Sequence, residues 1–335
     1  MDILIAILML VGGFVCLIKG ADFFVEGASN VAKLFKVPTI IIGLTVVAFG
    51  TSLPEASVSI SSALAGANAL AVSNVVGSNI FNTLVVLGAS ALIVPVCCQK
   101  ESIKKEIPFS ILCTVALIAA LLLGMNTGIP ADGEVGTAVV NYTYTLGRIG
   151  GIVLLALFAF YMYWQISAAL KARKNGEVAD EEDDGKKISL LKSIIFIVGG
   201  VAAIILGGNW VVDGASVIAE KLGMSQTLIG MTIVAVGTSL PELVTSMVAA
   251  KKHESDLALG NAIGSNIFNI LFVLGFSAFI SPITVDILAV IDSIAVVGIS
   301  ALTLAFAATG KKINRAEGGI MVATYVAYLV YMCVR

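Results

Sequence analysis

The chain has 335 residues, of which 58% are hydrophobic and only 13% are charged. Soluble domains carry about 45–50% apolar and about 25% charged residues, so this composition excludes a soluble enzyme. A net charge of -2 without a basic arm excludes a nucleic-acid-binding protein. The five cysteines lack metal-ligand spacing and are expected to be buried, reduced thiols. The composition predicts an all-α integral membrane protein.

Apolar runs of about 20 residues, the length that crosses a hydrocarbon core of roughly 30 Å, recur along the whole chain. The first run follows Met-Asp without a basic segment or cleavage site, so we expect it to be retained as a helix. The ten predicted transmembrane helices lie near residues 2–20, 38–65, 69–96, 107–125, 147–170, 189–207, 225–250, 256–280, 283–309 and 316–334.

Basic residues are distributed unequally between the loops. Sixteen of the 20 Lys and Arg residues fall in one alternate set of loops. Because short cytoplasmic loops are enriched in Lys and Arg, this set is predicted to be cytoplasmic and both termini outside. The expected location is the plasma (inner) membrane, where a multi-pass chain in the lipid bilayer would function as a monomer, without an obligate protein partner.

An internal repeat divides the chain into halves. Residues 43–95 and 230–282 align without a gap at an offset of 187, and 29 of the 53 positions are identical. Each half contains five predicted spans, an odd number, so the second copy enters the membrane from the opposite side. Two inverted five-helix repeats are typical of secondary transporters. The predicted organisation is a first repeat at 1–170, a cytoplasmic linker at 171–188 and a second, inverted repeat at 189–335.

The segment Gly-Thr-Ser-Leu-Pro-Glu at 50–55 recurs at 237–242, inside a hydrophobic span. Its proline lacks an N–H and should kink the helix, which frees backbone carbonyls as oxygen ligands. Helical spacing places Glu55 on the same face as Thr51 and Ser52. A carboxylate at mid-bilayer costs about 2.5–3.5 kcal/mol, and no basic residue lies deep enough to neutralise it. The missing positive charge is most simply a bound cation.

A second polar segment, Asn-Val-Val-Gly-Ser-Asn-Ile-Phe-Asn at 74–82, recurs with two substitutions at 261–269. Its polar positions step by four residues and form one stripe on a helix. If the two repeats meet, an all-oxygen shell surrounds one point, which suits a hard cation such as Ca²⁺ or Na⁺. The predicted shell combines asparagines of the stripe with the glutamates and hydroxyls of Glu55, Glu242, Thr51, Ser52, Ser78, Thr238, Ser239 and Ser265.

These doubled segments resemble the alpha repeats of the calcium/cation antiporter superfamily, in its prokaryotic sodium/calcium exchanger branch. The resemblance implies a secondary active antiporter, not an enzyme, that exchanges several Na⁺ for one Ca²⁺ by alternating access and needs no cofactor besides the transported ions. The first and sixth helices would form a long tilted pair that slides during transport, with packing surfaces at Gly12-Gly13 and Gly199-Gly200.

The resemblance also implies roles for individual residues. Glu55 and Glu242 would be shared calcium ligands. Some relatives carry an acidic residue where this chain has Asn269, and potassium-dependent members use Asp there, so transport is expected to be electrogenic and K⁺-independent. The other implied positions are the carbonyls of Thr51 and Thr238, an inward sodium site at Ala48, Ser52 and Ser78, an outward one at Ala235, Ser239 and Ser265, and a central layer at Asn82 and Asn269.

Alternatives remain open at this point. The glutamates could release protons instead of sodium, which would make the chain a H⁺/Ca²⁺ antiporter, or they could carry another divalent cation. A passive channel is disfavoured by the inverted duplication. Three lesser expectations concern polar residues outside the shell: Ser59 and Ser246 should bond their own helix backbone, Asn79 and Asn266 should pack between helices, and Asp22 should cap the segment after the first helix.

Overall fold

The computed structural model describes residues 3–128, 141–176, 189–224, 233 and 235–334. Most of these residues are helical. The helices are α1 (Ile3–Phe35), α2 (Thr39–Thr51), α3 (Leu53–Leu64), α4 (68–93), α5 (Ser102–Leu123), α6 (Arg148–Asn175), α7 (Leu190–Lys221), α8 (Ala235–Thr238), α9 (Leu240–Lys251), α10 (Ser255–Ile280), α11 (Ile287–Gly310) and α12 (Arg315–Val334).

Seven of these helices, α1, α4 to α7, α10 and α11, are long and apolar enough to cross a membrane. The pair α2 and α3 passes the same test together, with a bend of 52°, which gives up to eight spans among the described residues. The predicted span 225–250 lies partly outside the described residues, and α12 is not among the seven. The helical membrane class is confirmed, whereas the count of ten stays a prediction.

The bend between α2 and α3 follows from the proline predicted to cause it. Pro54 lies in the first turn of α3, and Ser52 at the break has φ −85° and ψ 10°. The second copy has the same break, with Pro241 in the first turn of α9 and Ser239 at φ −94° and ψ 5°. Proline is tolerated in the first turn, where its missing N–H has no helical partner. Each glutamate therefore begins a new helix at mid-span.

Within the described residues, five short strands, absent from the all-α prediction, pair loops within the first half and between the two halves. They form an antiparallel pair and a three-stranded sheet in the order β2-β3-β4. Their short lengths, at the ends of apolar runs, leave too few residues for a period-two pattern to show in the sequence. The strands are β1 (Val96–Cys97), β2 (Met125–Gly128), β3 (Asn141–Leu146), β4 (Ile283–Val285) and β5 (Lys312–Ile313), with Val96 opposite Ile313 and Tyr144 opposite Val285.

Helices α1 and α7 are 33 and 32 residues long, well beyond the predicted runs 2–20 and 189–207. At 1.5 Å per residue each is about 50 Å long, more than a hydrocarbon core requires. Asp22 lies inside α1, so the expectation that it caps a following segment is wrong. Its Oδ1 is 3.1 Å from Nζ of Lys252.

Glycines hold α1 and α7 in close antiparallel contact. A Cβ at Gly13 would lie 2.7 Å from the Gly207 carbonyl oxygen, and one at Gly20 would lie 2.9 Å from that of Gly200. These distances are too short for any side chain, so the backbones touch. Gly199 faces open space, so only one member of that predicted glycine pair packs between the helices.

Helices α4 and α10 form the centre of the molecule. Of their most hydrophobic windows, 72% and 78% of residues are buried, against 22% in α1 and α7. Both contain a π-helical turn at the same position of the repeat, Asn82–Val86 in α4 and Asn269–Leu274 in α10. π-helical turns inside α-helices are frequent at functional sites.

The cysteines follow the sequence expectation only in part. Cys98 and Cys113 are buried free thiols, whereas Cys97 is exposed, contrary to the prediction. Burial raises the pKa of the Cys98 thiol, in the loop after α4, to about 12, so this thiol stays protonated at neutral pH. The side chain of Cys333 lies outside the described residues.

Candidate ion-binding site

Two glutamates occupy the first turns of α3 and α9, and both are completely buried. Each accepts a hydrogen bond from a serine of the other repeat. Ser52 Oγ donates to Glu242 Oε1 at 2.7 Å, and Ser239 Oγ donates to Glu55 Oε1 at 2.9 Å. These crossed bonds bring the two predicted carboxylates together at the contact between the repeats.

One oxygen of each carboxylate is left without a protein partner. Within the described residues, neither Glu55 Oε2 nor Glu242 Oε2 has a hydrogen bond. No basic side chain of the described segments is among the groups that interact with either glutamate. Unpaired carboxylate oxygens are costly in a low dielectric, so these two oxygens are the atoms of the site that could hold a cation.

Serines from the central helices complete the ring around the glutamates. Ser78 Oγ in α4 donates to Glu55 Oε1 at 3.2 Å and lies 2.9 Å from Ser239 Oγ. Its repeat counterpart in α10, Ser265, lies beside Glu242. In the described part of the chain, Ser265 Oγ is buried without a hydrogen-bond partner. The hydroxyl oxygens thus lie beside both carboxylates.

The residues before the helix break contribute in different ways. Thr51 is buried, and its Oγ1 donates to Asn261 Oδ1 at 3.1 Å. Ala48 is buried one turn earlier and packs against Gly264, where an added Cβ would lie 2.8 Å from its methyl group. Thr238 is half-buried in α8, and of Ala235 the structure describes only the backbone, at the start of α8. The carbonyls of Thr51 and Thr238, predicted as ligands, therefore lie at the last residues of α2 and α8, directly before the break.

In each repeat, one asparagine fixes the start of the helix that carries the glutamate. Asn74 Nδ2 donates to the Glu55 carbonyl at 3.3 Å and to Ser59 Oγ at 2.9 Å. Asn261 Nδ2 makes the equivalent bonds to Glu242 and Ser246 at the same distances. The expectation that these two serines bond their own backbone is wrong. The repeat contained the signal, because both positions are serine, whereas Ser57, Ser61 and Ser62 align with apolar residues.

The two asparagines assigned to the central layer differ in their contacts. Asn82 and Asn269 are both completely buried. Asn269 Nδ2 donates to Asn79 Oδ1 at 3.2 Å and approaches Ser78 Oγ at 3.4 Å. Among the described residues, Asn269 Oδ1 and both polar atoms of Asn82 have no hydrogen-bond partner. Three further polar atoms are thus available to the interior of the site.

A buried ring of carboxylate, hydroxyl and amide oxygens inside a bundle of apolar helices defines a multi-pass membrane protein of the ion-transporter class. The sodium/calcium exchanger protein family matches residues 5–167 and 192–334. This match covers most of the chain, which therefore belongs to the sodium/calcium exchanger family. The members are transporters, so the resemblance inferred from the repeats is confirmed, and membership supports antiport of Ca²⁺ against another cation.

Individual proteins agree with this assignment. The chain is 34% identical over 348 residues to the sodium/calcium exchanger MaX1 of Methanosarcina acetivorans, with 97% of both chains covered. It is 36% identical over 295 residues to the inner membrane protein YrbG of Escherichia coli, covering 85% and 83% of the two chains. A solved structure of the sodium-calcium exchanger NCX_Mj, soaked with 2.5 mM Na⁺ and 0.1 mM Ca²⁺, is 32% identical and superposes with a TM-score of 0.78 over 97% of each chain.

Proposed function

We propose that this protein exchanges Na⁺ for Ca²⁺ across the membrane by alternating access, as a secondary active antiporter. The observation that carries the proposal is the pair of buried carboxylates, each bonded by a serine of the other repeat and each with an unpaired oxygen. Two carboxylates balance one Ca²⁺ or two Na⁺, so the two ions compete for the same charges. Competition for one site makes the ions bind in turn, as antiport requires. The relatives MaX1 and NCX_Mj, both named as exchangers, support this choice.

The proposed ligands follow from the ring of buried oxygens. Glu55 and Glu242 would bind Ca²⁺ together with the carbonyls of Thr51 and Thr238, and Na⁺ would occupy positions beside each carboxylate. The inner sodium position is assigned to Ala48, Ser52 and Ser78, the outer one to Ala235, Ser239 and Ser265, and the central layer to Asn82 and Asn269. Carbonyl, hydroxyl, amide and carboxylate oxygens are the ligands of hard cations, which supports this assignment.

The architecture proposed for alternating access is two inverted repeats, 1–170 and 189–335, joined by the linker 171–188. Reciprocal contacts support it. If the repeats are related by a two-fold axis, a contact between residue i and residue j + 187 must recur between residues i + 187 and j. The contact of Gly13 with Gly207 recurs between Gly200 and Gly20. The bond of Ser52 to Glu242 recurs as that of Ser239 to Glu55.

The proposed topology has ten spans, with both termini outside the plasma (inner) membrane and the monomer as the working unit. Loops predicted on the same side contact one another, which supports the alternation. Strand β1 pairs with β5 between two predicted cytoplasmic loops, and β3 pairs with β4 between two predicted external loops. Exposed Cys97 tests the orientation: an impermeant maleimide should label it in inside-out vesicles only, and the Cys97→Ser protein should lose that label. Labelling from the outside that the Cys97→Ser substitution removes would contradict the topology.

The transport reaction is tested in proteoliposomes loaded with Na⁺ and diluted into Na⁺-free buffer containing ⁴⁵Ca²⁺. We expect rapid ⁴⁵Ca²⁺ uptake with the Na⁺ gradient in place and none without it. An imposed pH gradient in the absence of Na⁺ should drive no uptake. Uptake that follows the pH gradient and ignores Na⁺ would establish the H⁺/Ca²⁺ antiporter instead, and competition by Mg²⁺ or Mn²⁺ tests the choice of divalent ion.

Two further measurements in the same vesicles test electrogenicity and the role of K⁺. If three Na⁺ leave as one Ca²⁺ enters, one positive charge moves outward per cycle, so an inside-positive potential should accelerate Ca²⁺ uptake. An unchanged rate at every imposed potential would contradict electrogenic exchange. Because Asn269 is uncharged, uptake should be equal with choline or K⁺ as the background cation.

A further inference from the structure

A chain of hydrogen bonds between α4 and α10 reaches the ion site from behind. Asn79 Nδ2 donates to the backbone carbonyl of Asn266 at 3.1 Å, and Asn79 Oδ1 accepts from Asn269 Nδ2 at 3.2 Å. Both side chains are buried, Asn79 at 1% and Asn269 at 0% exposure. Asn79 packs between the helices, as its position off the polar stripe predicts, but it also bonds a residue of the proposed central layer.

The direction of this chain is set by a backbone group. The Asn266 carbonyl can only accept a hydrogen bond, so it selects the NH₂ end of the Asn79 amide. The oxygen of Asn79 must then point at Asn269 and bind its NH₂ end, which also reaches Ser78 Oγ at the longer distance of 3.4 Å. Because the two ends of a planar amide are opposed, Asn269 Oδ1 is turned away from Asn79, and it has no partner among the described residues.

The same relay does not form on the other side of the two-fold axis, and one substitution between the repeats accounts for this. Asn266 Nδ2 donates to Thr83 Oγ1 at 2.8 Å, and the Thr83 hydroxyl donates to the Asn79 carbonyl at 2.7 Å. The repeat counterpart of Thr83 is Ile270, which offers no hydroxyl. Within the described residues the Asn82 amide has no bond at either end, so nothing sets its direction.

We propose that Asn79 is a positioning residue that turns the amide oxygen of Asn269 toward the transported cation. The inference rests on the proposed function, in which Asn269 belongs to the central layer of the site. An amide oxygen is a ligand of hard cations, whereas an amide NH₂ repels them. Asn79 therefore acts on ion affinity without contacting the ion. The Asn82 amide, which no hydrogen bond fixes among the described residues, must rotate to turn its oxygen toward the cation.

The test measures the KM for Ca²⁺ and the maximal rate of Na⁺-driven ⁴⁵Ca²⁺ uptake. Asn79→Leu, which is close in size but cannot accept a hydrogen bond, should raise the KM about tenfold, the equivalent of ~1.4 kcal/mol, and leave the maximal rate within about twofold. Asn79→Asp, as a protonated acid, keeps a donor to the Asn266 carbonyl and an acceptor opposite Asn269, so its KM should be no higher than that of the unmodified protein. Asn266→Leu, the repeat counterpart, should change the KM less than about threefold.

A double substitution separates this role from general packing. If Asn79 acts through Asn269, Asn79→Leu should add nothing to the KM of the Asn269→Leu protein; additive effects would overturn the inference. An Asn269→Leu protein with an unchanged KM would instead refute the proposed central layer, and so distinguishes the two failures. Should the leucine variant fail to fold, Asn79→Ala removes the same acceptor with less bulk, and an unchanged KM in it would equally refute the proposal.

Discussion

The two copies of the repeat hold their glutamates in the same way. Asn74 and Asn261 each donate to the carbonyl of the glutamate 19 residues earlier at 3.3 Å and to a serine at 2.9 Å. The tight turns that follow also agree, with Gly66 and His253, at equivalent positions, both at positive φ. The part of the repeat that carries the carboxylates is therefore a duplicated unit of structure as well as of sequence.

The copies differ at the contacts that surround this unit. Thr83 bonds Asn266 in one copy, whereas Ile270 stands at the equivalent position of the other. Lys252 pairs with Asp22 of α1, but the residue that corresponds to Lys252 in the first copy is Ala65. Identity is thus kept at the residues proposed to bind cations, and it is lost at these surrounding contacts.

Removing either carboxylate should have the largest effect. Glu55→Gln or Glu242→Gln leaves one negative charge, which cannot neutralise a divalent ion in a low dielectric, so Na⁺-driven ⁴⁵Ca²⁺ uptake should fall to background. The symmetry of the copies predicts the same loss for both. Glu26→Gln, in α1, is a control outside the site and should keep the activity. Wild-type flux in either site variant would contradict the assigned site.

The crossed serines should have the next largest effect, and an unequal one. Hydrogen bonds to charged groups contribute about 1.5–3 kcal/mol, so Ser52→Ala and Ser239→Ala should each raise the Na⁺ concentration for half-maximal exchange at least about tenfold. Ser239 also contacts Ser78, a bond without a described equivalent at Ser52, so its loss should cost more.

The control for the serines is Ser61→Ala, because the Ser61 hydroxyl is exposed and bonds the Ser57 carbonyl of its own helix. Its half-saturation for Na⁺ should stay within about twofold of the unmodified protein. Equal effects at Ser52 and Ser239 would show that the contact with Ser78 contributes nothing to ion binding.

The glycine contacts between α1 and α7 should affect stability. A Cβ at Gly13 would lie within 3 Å of two backbone atoms of α7, and overpacking of this kind costs about 1–3 kcal/mol. Gly13→Ala and its counterpart Gly200→Ala should therefore lower the Tm in detergent by similar amounts. Gly199→Ala faces open space and should leave the Tm unchanged or raise it, because alanine favours helix. A lower Tm in all three would argue against specific backbone contact.

The repeat made much of the site predictable from sequence alone. A motif present twice at one offset identified Glu55, Ser52, Ser78 and their counterparts. Polar segments inside apolar spans are expected to hydrogen-bond each other, because the surrounding apolar side chains offer no partners. The length of α1 was missed, because the apolar run ends at Lys19 and hydropathy does not follow a helix beyond it. The bond of Asn79 to Asn269 depends on the crossing of α4 and α10, which no local pattern encodes.

The smallest effect is expected at the ion pair of Lys252, whose counterpart in the first copy is the uncharged Ala65. Lys252 Nζ lies 3.1 Å from Asp22 Oδ1 with both side chains about one-third exposed, so the pair contributes about 0.2–1 kcal/mol. Beside it, Ser29 Oγ donates to Glu254 Oε1 at 2.5 Å. The counterparts of Lys252 and Glu254 are Ala65 and Ala67, which cannot hold α7 in this way.

Lys252→Ala should therefore change the rate of Na⁺-driven Ca²⁺ uptake by less than about fivefold and should remove part of its dependence on ionic strength, measured with choline chloride. Screening weakens an exposed ion pair, so salt should mimic the substitution in the unmodified protein and have less effect in the variant. Lys251→Ala, one residue earlier, controls for the loss of a positive charge. If the two variants respond to salt alike, the salt dependence of uptake arises from the net charge of the loop and not from the contact of Lys252 with α1.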